Sequence, residues 1–280
     1  MTLAQSCRLF GIHRQSLYQQ KRRDQVKANR QRPIRAMVES VRKRMPRIGT
    51  RKLHYLLAGQ LVESGIKMGR DGLFDYLRSQ DLLIKPVKRY TQTTMSRHWL
   101  RKHPNLLEGW RPTRPEEVFV SDITYIKSAE KTHYLSLVSD AYSRKIMGYV
   151  LSDDMEAETV GQALLMAAEG RLTSFPLIHH SDRGVQYCSS HYQHLLNNHH
   201  IRPSMTDGYD CYQNALAERI NGILKQEFLI WRCANKTDLQ TLVDESISIY
   251  NNERPHLSLQ MQTPNQVHKK AEEETLLRLQ

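Results

Sequence analysis

Three carboxylates occupy positions where a charge is costly or conspicuous. Asp122 lies inside the apolar run VFVSDITYI, Asp182 ends LIHHSD just before RGVQY, and Glu218 belongs to YQNALAERINGILKQEF, residues 212–228. Burying a carboxylate without a partner or a cation costs several kcal/mol. Each aspartate alone is equally well explained as a strand-end cap or as the partner of an arginine such as Arg144 or Arg183. Together they are hard oxygen donors which, with positions left open for water and phosphate, suit Mg²⁺ or Mn²⁺. The other acidic candidates read differently. Asp140 is expected to pair with Arg144, while Asp153, Asp154 and Asp207 sit in turn-like sequence and are expected to be solvated. His179 and His180 are consecutive strand residues that face opposite ways, so they cannot easily share one ion. One of them, His180, is expected to support Asp182.

The elements that must position these groups follow from periodicity. Around Glu218, at about 100° per residue, Leu216, Ile220 and Ile223 gather on one side of a helix and Asn214, Glu218, Asn221 and Lys225 on the other. A polar stripe of that kind usually faces water. EVFVSDITYIK, HYLSLVSDAY and KIMGYVLS read as three antiparallel strands. A helix 157–169, a strand PLIHHSD, a helix 190–198, a strand IRPSMT, the Glu218 helix and a last helix 238–250 follow. The order predicts an α/β sheet of mixed direction flanked by helices. Two adjacent strand positions and one helix packed on the sheet edge would bring the three carboxylates together.

Ahead of this sheet the chain is basic and helical. Residues 1–116 hold 26 Lys and Arg against 8 Asp and Glu, a net of +18, whereas residues 117–280 carry −6. Such a front favours nucleic acid over a membrane surface, because its basic residues are scattered over several short elements rather than along one amphipathic helix. Gly11 splits LAQSCRLFGIHRQSLYQQKR into two short helical patterns, a helix-turn-helix arrangement whose second helix offers Arg14, Gln15 and Gln19 to DNA. A second helical pair, GTRKLHYLLAGQLVESG and GRDGLFDYLRSQDLL, leaves Arg51, Lys52, Arg70 and Arg78 outside. The expected organisation is a helix-turn-helix-like segment over 1–30, a second helical DNA-binding domain over 31–84, an extended basic linker over 85–116, a catalytic core over 117–270 and a tail over 271–280. The four cysteines form no CxxC pair, so reduced thiols are expected. No apolar run approaches membrane-spanning length, and a soluble cytoplasmic protein is expected.

SDITYI, HSDRGVQY and NALAERINGILKQE resemble the three blocks of the DDE transposases and retroviral integrases, most closely the OrfB-type transposases of the IS3 family of bacterial insertion sequences. The basic helical front, DAYSRKIMGY and the tail YNNERPHLSLQMQTPNQV also fit. Asp182 and Glu218 are 36 positions apart, and Lys225 lies seven beyond the glutamate, which is that family's hallmark interval. Ser121 and Phe119 depart from its commoner threonine and tryptophan, and neither is a ligand position. The resemblance implies an RNase H-like integrase core with Asp122, Asp182 and Glu218 as catalytic, metal-binding triad for two Mg²⁺ or Mn²⁺. It implies that the Glu218 face looks across to the sheet edge rather than to water, with Lys225 at DNA phosphate and support from Asn214. It further implies cleavage and joining at terminal inverted repeats and target DNA, a homodimer or larger complex on paired ends, and an OrfA-type partner or fusion of which this chain is the catalytic half. The alternatives are a helix-turn-helix binder or transposition inhibitor without catalysis, and an RNase H-like nuclease that cuts but does not join.

Overall fold

The computed structural model describes residues 2–85, 99–171, 173, 175–207, 214–229 and 233–270. Part of the expected linker, the first two residues of the Glu218 helix, Cys211 and the expected tail lie outside the described residues. The chain divides into two compact units, Met1–Ile84 and Lys85–Gln280.

The first unit is four helices, α1 (Leu3–Leu9), α2 (Arg14–Arg44), α3 (Thr50–Glu63) and α4 (Arg70–Ser79). The same device ends α1 and α3. Gly11 and Gly65, at φ +63° and +64°, take the left-handed conformation just past the helix. The next residue, Ile12 or Ile66, then returns its amide to the Cys7 or Leu61 carbonyl. Glycine is favoured there because a Cβ is strained at positive φ. The expected boundary between residues 30 and 31 falls inside α2, which continues through Pro33 to Arg44. Its second half explains the continuity. Ile34 and Val38 are wholly buried, as are Leu53, Leu57, Leu73 and Leu77 of α3 and α4. Burial of each such side chain contributes roughly 1.5–3 kcal/mol.

The second unit is a five-stranded sheet of order β3-β2-β1-β4-β5, built from β1 (Val118–Lys127), β2 (Thr132–Asp140), β3 (Ile146–Ser152), β4 (Leu177–Ser181) and β5 (Ile201–Met205). β1, β2 and β3 form an antiparallel meander, and β4 and β5 run parallel to β1. This is the expected mixed sheet. On one face Phe119, Val138, Leu177 and Ile201 pack with Val160 and Leu164 of α5 (Ala157–Glu169) and with Tyr192 and Leu196 of α7 (Ser190–Asn198). A short helix, α6 (Val185–Cys188), precedes α7. The opposite face carries α8 (Ala215–Ile223), and α9 (Lys236–Asn252) packs against β3. Among the described residues no helix is long and apolar enough to cross a membrane, and Cys7, Cys188 and Cys233 are free thiols.

Each outer strand is met at one end by another segment, which shortens the exposed template for strand pairing. At β3 the Asn251 amide accepts from the Ile146 N–H at 2.9 Å and donates to the Ile146 carbonyl at 3.0 Å, like one rung of a ladder. At β5 the Pro104 carbonyl accepts from Met205 N, and Leu106 N donates to Ser204 Oγ at 2.9 Å. Residues 104–106, expected in a linker, therefore dress the core. Glu116 does so too: it is fully buried and accepts from the Thr173 amide and hydroxyl.

One acidic residue departs from expectation, and a second adds partners to it. Asp140 is buried and takes no ion pair with Arg144; it accepts from the Glu116 and Ser143 amides and the Ser143 hydroxyl, at 2.6–2.7 Å. These donors satisfy its lone pairs, and His268 Nδ1 lies 3.9 Å from Asp140 Oδ1. Asp153 is exposed, as expected, and also gathers Lys131 at 3.1 Å, His133 at 2.7 Å and Lys236 at 3.5 Å, joining the β1–β2 turn, β2 and the start of α9. Hydrogen bonds from Lys131 and then His133 hold its carboxyl down at about 2. A depressed carboxyl stabilises the fold above its unfolded value, and that contribution fades as pH falls toward the folded value. Asp153→Asn is expected to lower the melting temperature slightly at pH 7, with the gap narrowing from pH 5 to pH 3; a gap independent of pH in circular-dichroism melts would overturn this.

Candidate active site

Strand alternation decides which way Asp122 points. Val118 and Val120 pack against Leu216 and Ala217 of α8, while Phe119 belongs to the opposite core. A period of two then puts Asp122 and Thr124 on the α8 side and Ser121 behind. Between β1 and β4 the parallel register sets Val120 opposite His180. Two residues on along the chain from that pair come Asp122 and Asp182, near enough that the charge of Asp182 raises the Asp122 carboxyl. Asp182 lies just past the end of β4, and its Oδ1 accepts from Gly184 N at 2.9 Å ahead of α6. A Cβ on Gly184 would stand 3.0 Å from the same oxygen, so glycine leaves that carboxylate room.

Helix α8 is sewn to β1 along its polar stripe. Asn214 Nδ2 donates to the Ser121 carbonyl at 3.0 Å, Asn221 Nδ2 to Asp122 Oδ2 at 2.8 Å, and Lys225 Nζ to Thr124 Oγ1 at 3.1 Å. Residues 214, 218, 221 and 225 are spaced by four, three and four, so they share one face. Glu218 is thereby turned toward the middle of β1, with its side chain still exposed. The stripe therefore faces the sheet, and Asn214 and Lys225 lie where the sequence predicts. Asn221 is the residue the sequence reading under-weighted: it appears there only as a member of the face. Its spacing of three from Glu218 was the available signal.

The carboxylates feel one another. Burial, then the charges of Asp182 and Glu218, push Asp122 from its ordinary 3.8 to about 7, against the lowering effect of the Asn221 bond. Burial and the charge of Asp182 raise Glu218 as well. A cation at this place would reverse those repulsions, and three carboxylates are the donor chemistry a hard divalent ion prefers. Among the described residues, no three His, Cys, Asp or Glu side chains are drawn into a closed metal cage.

The paired histidines are divided by the sheet, as their alternation requires. His179 lies behind β1, with Nε2 2.7 Å from Ser121 Oγ and 3.0 Å from Tyr192 Oη. Burial, then His180, lowers it to about 3, so it is a neutral imidazole. His180 Nδ1 meets Ser204 Oγ at 2.9 Å, which ties β4 to β5 one strand away from Asp122. Asp207, expected in solvent, stands 3.7 Å from Arg183.

The expected DNA-reading residues are in the first unit. Arg14, Gln15 and Gln19 are exposed on the first turns of α2, where the Arg14 guanidinium donates to Tyr18 Oη at 3.0 Å. Arg51 is exposed on α3 and Lys52 half-buried, while Arg70 begins α4 and bonds Asp71 at 2.9 Å.

Comparison with known proteins agrees with this arrangement. Two models described as integrase core domain match residues 112–211 and 199–264. The insertion element IS600 uncharacterized 31 kDa protein of Shigella sonnei is 34% identical over 259 residues, 90% of this chain and 93% of that one. Transposase InsF for insertion sequence IS3A of Escherichia coli K12 is 37% identical over 152 residues, 54% of this chain and 53% of that protein. The chain thus spans about half the length of the InsF transposases it matches. Among solved structures, a chain of the simian T-cell lymphotropic virus intasome in complex with PP2A regulatory subunit B56 gamma aligns with a TM-score of 0.50 at 20% identity, covering 79% of this chain and 74% of that one. That likeness concerns the fold.

Proposed function

Because the chain belongs to the IS3-type DDE transposases, we propose that it cuts DNA at the ends of an insertion sequence and joins the resulting 3′-hydroxyls to DNA at Asp122, Asp182 and Glu218. The observation carrying this reading is that Asp122 and Asp182 each follow by two residues the paired Val120 and His180 of adjacent parallel strands, with α8 tied to β1 by Asn214 and Asn221. The three carboxylates would hold two Mg²⁺ or Mn²⁺ ions, which supply charge neutralisation at the phosphodiester and acidify the attacking oxygen.

The protein's own groups do the rest. Asn221 fixes the orientation of the Asp122 carboxylate, and the backbone amide of Gly184 fixes that of Asp182. Lys225, on the same face as Glu218 and reaching β1 at Thr124, places a positive charge where a DNA phosphate would lie beside the carboxylates. The first unit would bind the terminal inverted repeats through α2, α3 and α4, with Arg14, Gln15, Gln19, Arg51, Lys52 and Arg70 as contacts. Two such chains on paired ends, or more, would complete the working assembly, with an OrfA-type partner or fusion.

The test is a labelled duplex carrying the element's ends, incubated with Mg²⁺ or with EDTA. Wild type is expected to yield metal-dependent 3′-hydroxyl and joined products, and Glu218→Gln to bind the DNA but yield none. Tight binding by wild type without any cutting, even with an OrfA partner supplied, would sink the catalytic reading in favour of a regulator.

A further inference from the structure

We propose that Arg254, in the tail word YNNERPH, is a positioning residue that holds Lys225 in place through Glu227. This rests on the reading of Lys225 as a DNA-phosphate contact. The link is a change of helical pitch. After Ile223 the helix widens into a π-helical turn, Leu224–Phe228, closed by a bond from Leu229 N to the Leu224 carbonyl at 2.8 Å. Such turns are rare and persist where their surroundings impose them.

Two constraints are visible. Leu224 and Phe228, at opposite ends of the turn, are buried and fix its inner side. On its other flank the Glu227 carboxylate receives a fork of two bonds from Arg254, Nε to Oε2 at 2.8 Å and Nη2 to Oε1 at 2.7 Å. Arg254 is itself buried, 2% exposed, with Nη1 3.1 Å from His256 Nε2 and its guanidinium beside the Tyr250 ring, whose plane is edge-on to His256. A two-pronged, enclosed pair of this kind is directional, and losing one partner strands the other charge. Lys225 is two residues from Glu227 in the same turn, and its ammonium reaches Thr124 on β1. Arg254 thus fixes the turn whose pitch decides whether Lys225 projects beside Asp122. Tyr250, Asn251 and Arg254 give the tail one job, to lock the end of the Glu218 helix and the β3 edge together.

The experiment is a double-mutant cycle on the full chain: wild type, Arg254→Gln, Lys225→Gln and the pair. Each is measured for cleavage of end-bearing DNA at saturating and limiting DNA, and for hydrogen exchange at the Leu229 amide. Arg254→Gln is expected to reproduce the Lys225→Gln defect, a loss of roughly ten- to a hundredfold, with the pair no worse than Lys225→Gln alone. Leu229 is expected to lose protection while amides earlier in α8 keep theirs. Glu227→Gln, which keeps the size of the side chain, is read in the same cycle should Arg254→Gln fail to fold. Independent, multiplying defects, or full Leu229 protection in a folded Arg254→Gln or Glu227→Gln protein, would overturn the proposal. If wild type does not cut DNA, the transposase reading fails, and the exchange measurement still decides whether Arg254 holds the turn.

Discussion

Asp122→Asn is expected to reduce metal-dependent cleavage and joining by about a thousandfold or more, since a lost ligand removes several kcal/mol of charge stabilisation. Unlike most losses of function, it is also expected to make the metal-free protein more stable at alkaline pH. Asp122 is raised from 3.8 to about 7 by burial and by Asp182 and Glu218. Between those values the folded state keeps a proton that the unfolded chain releases, so stability falls as pH rises through the window. Asparagine cannot ionise and escapes that loss, while its amide still fits beside Asn221. In EDTA, Asp122→Asn is expected to melt several degrees above wild type at pH 8 and level with it at pH 4. Adding Mg²⁺ is expected to raise the wild type alone. Equal melting temperatures at pH 8 in EDTA would show that Asp122 is not under the repulsion its surroundings imply.

The second large effect concerns the scaffold. Gly148 on β3 lies beneath α5, where an added Cβ would overlap the Ala163 carbonyl oxygen and come within 2.7 Å of the Ala167 amide nitrogen. The obstacles are helix backbone, which cannot swing aside as a side chain would. Next to it the β2–β3 ladder shifts register between Val138 and Ser139. Gly148→Ala is expected to destabilise the second unit by about 3 kcal/mol or more, read as a lower denaturation midpoint in urea. An unchanged midpoint would mean that α5 can lift from the sheet at no cost. The contrast with Gly222, where a Cβ meets nothing within 4 Å, makes Gly222→Ala the natural control.

Much of the second unit was legible in the chain itself. The strands ending in Lys127 and Ser152 and the helices 157–169 and 190–198 are where alternation and helical spacing put them. Those patterns are local, and the sheet has apolar cores on both sides to enforce them. The first unit was read less well. α2 runs on to Arg44 through a polar stretch and Pro33, because the burial of Ile34 and Val38 arises only in three dimensions. Asp140 was misassigned for the same reason: the Glu116 amide that binds it is remote in sequence, and no spacing announces it.

For the candidate site, the sequence by itself determined the identities: two strand aspartates, a helix glutamate 36 positions after the second, and Lys225 on the glutamate's face. That this face looks at the sheet rather than at water was implied by the resemblance, and only the tertiary structure decided which bonds hold it there. Strand period and helix period are properties of neighbouring residues, whereas docking depends on contacts such as Asn221 with Asp122, 99 positions apart, and Arg254 with Glu227 across the π-helical turn. Side-chain bonds of that range select one docking among the many that an amphipathic helix could make with a sheet, and they exist only once both elements are folded.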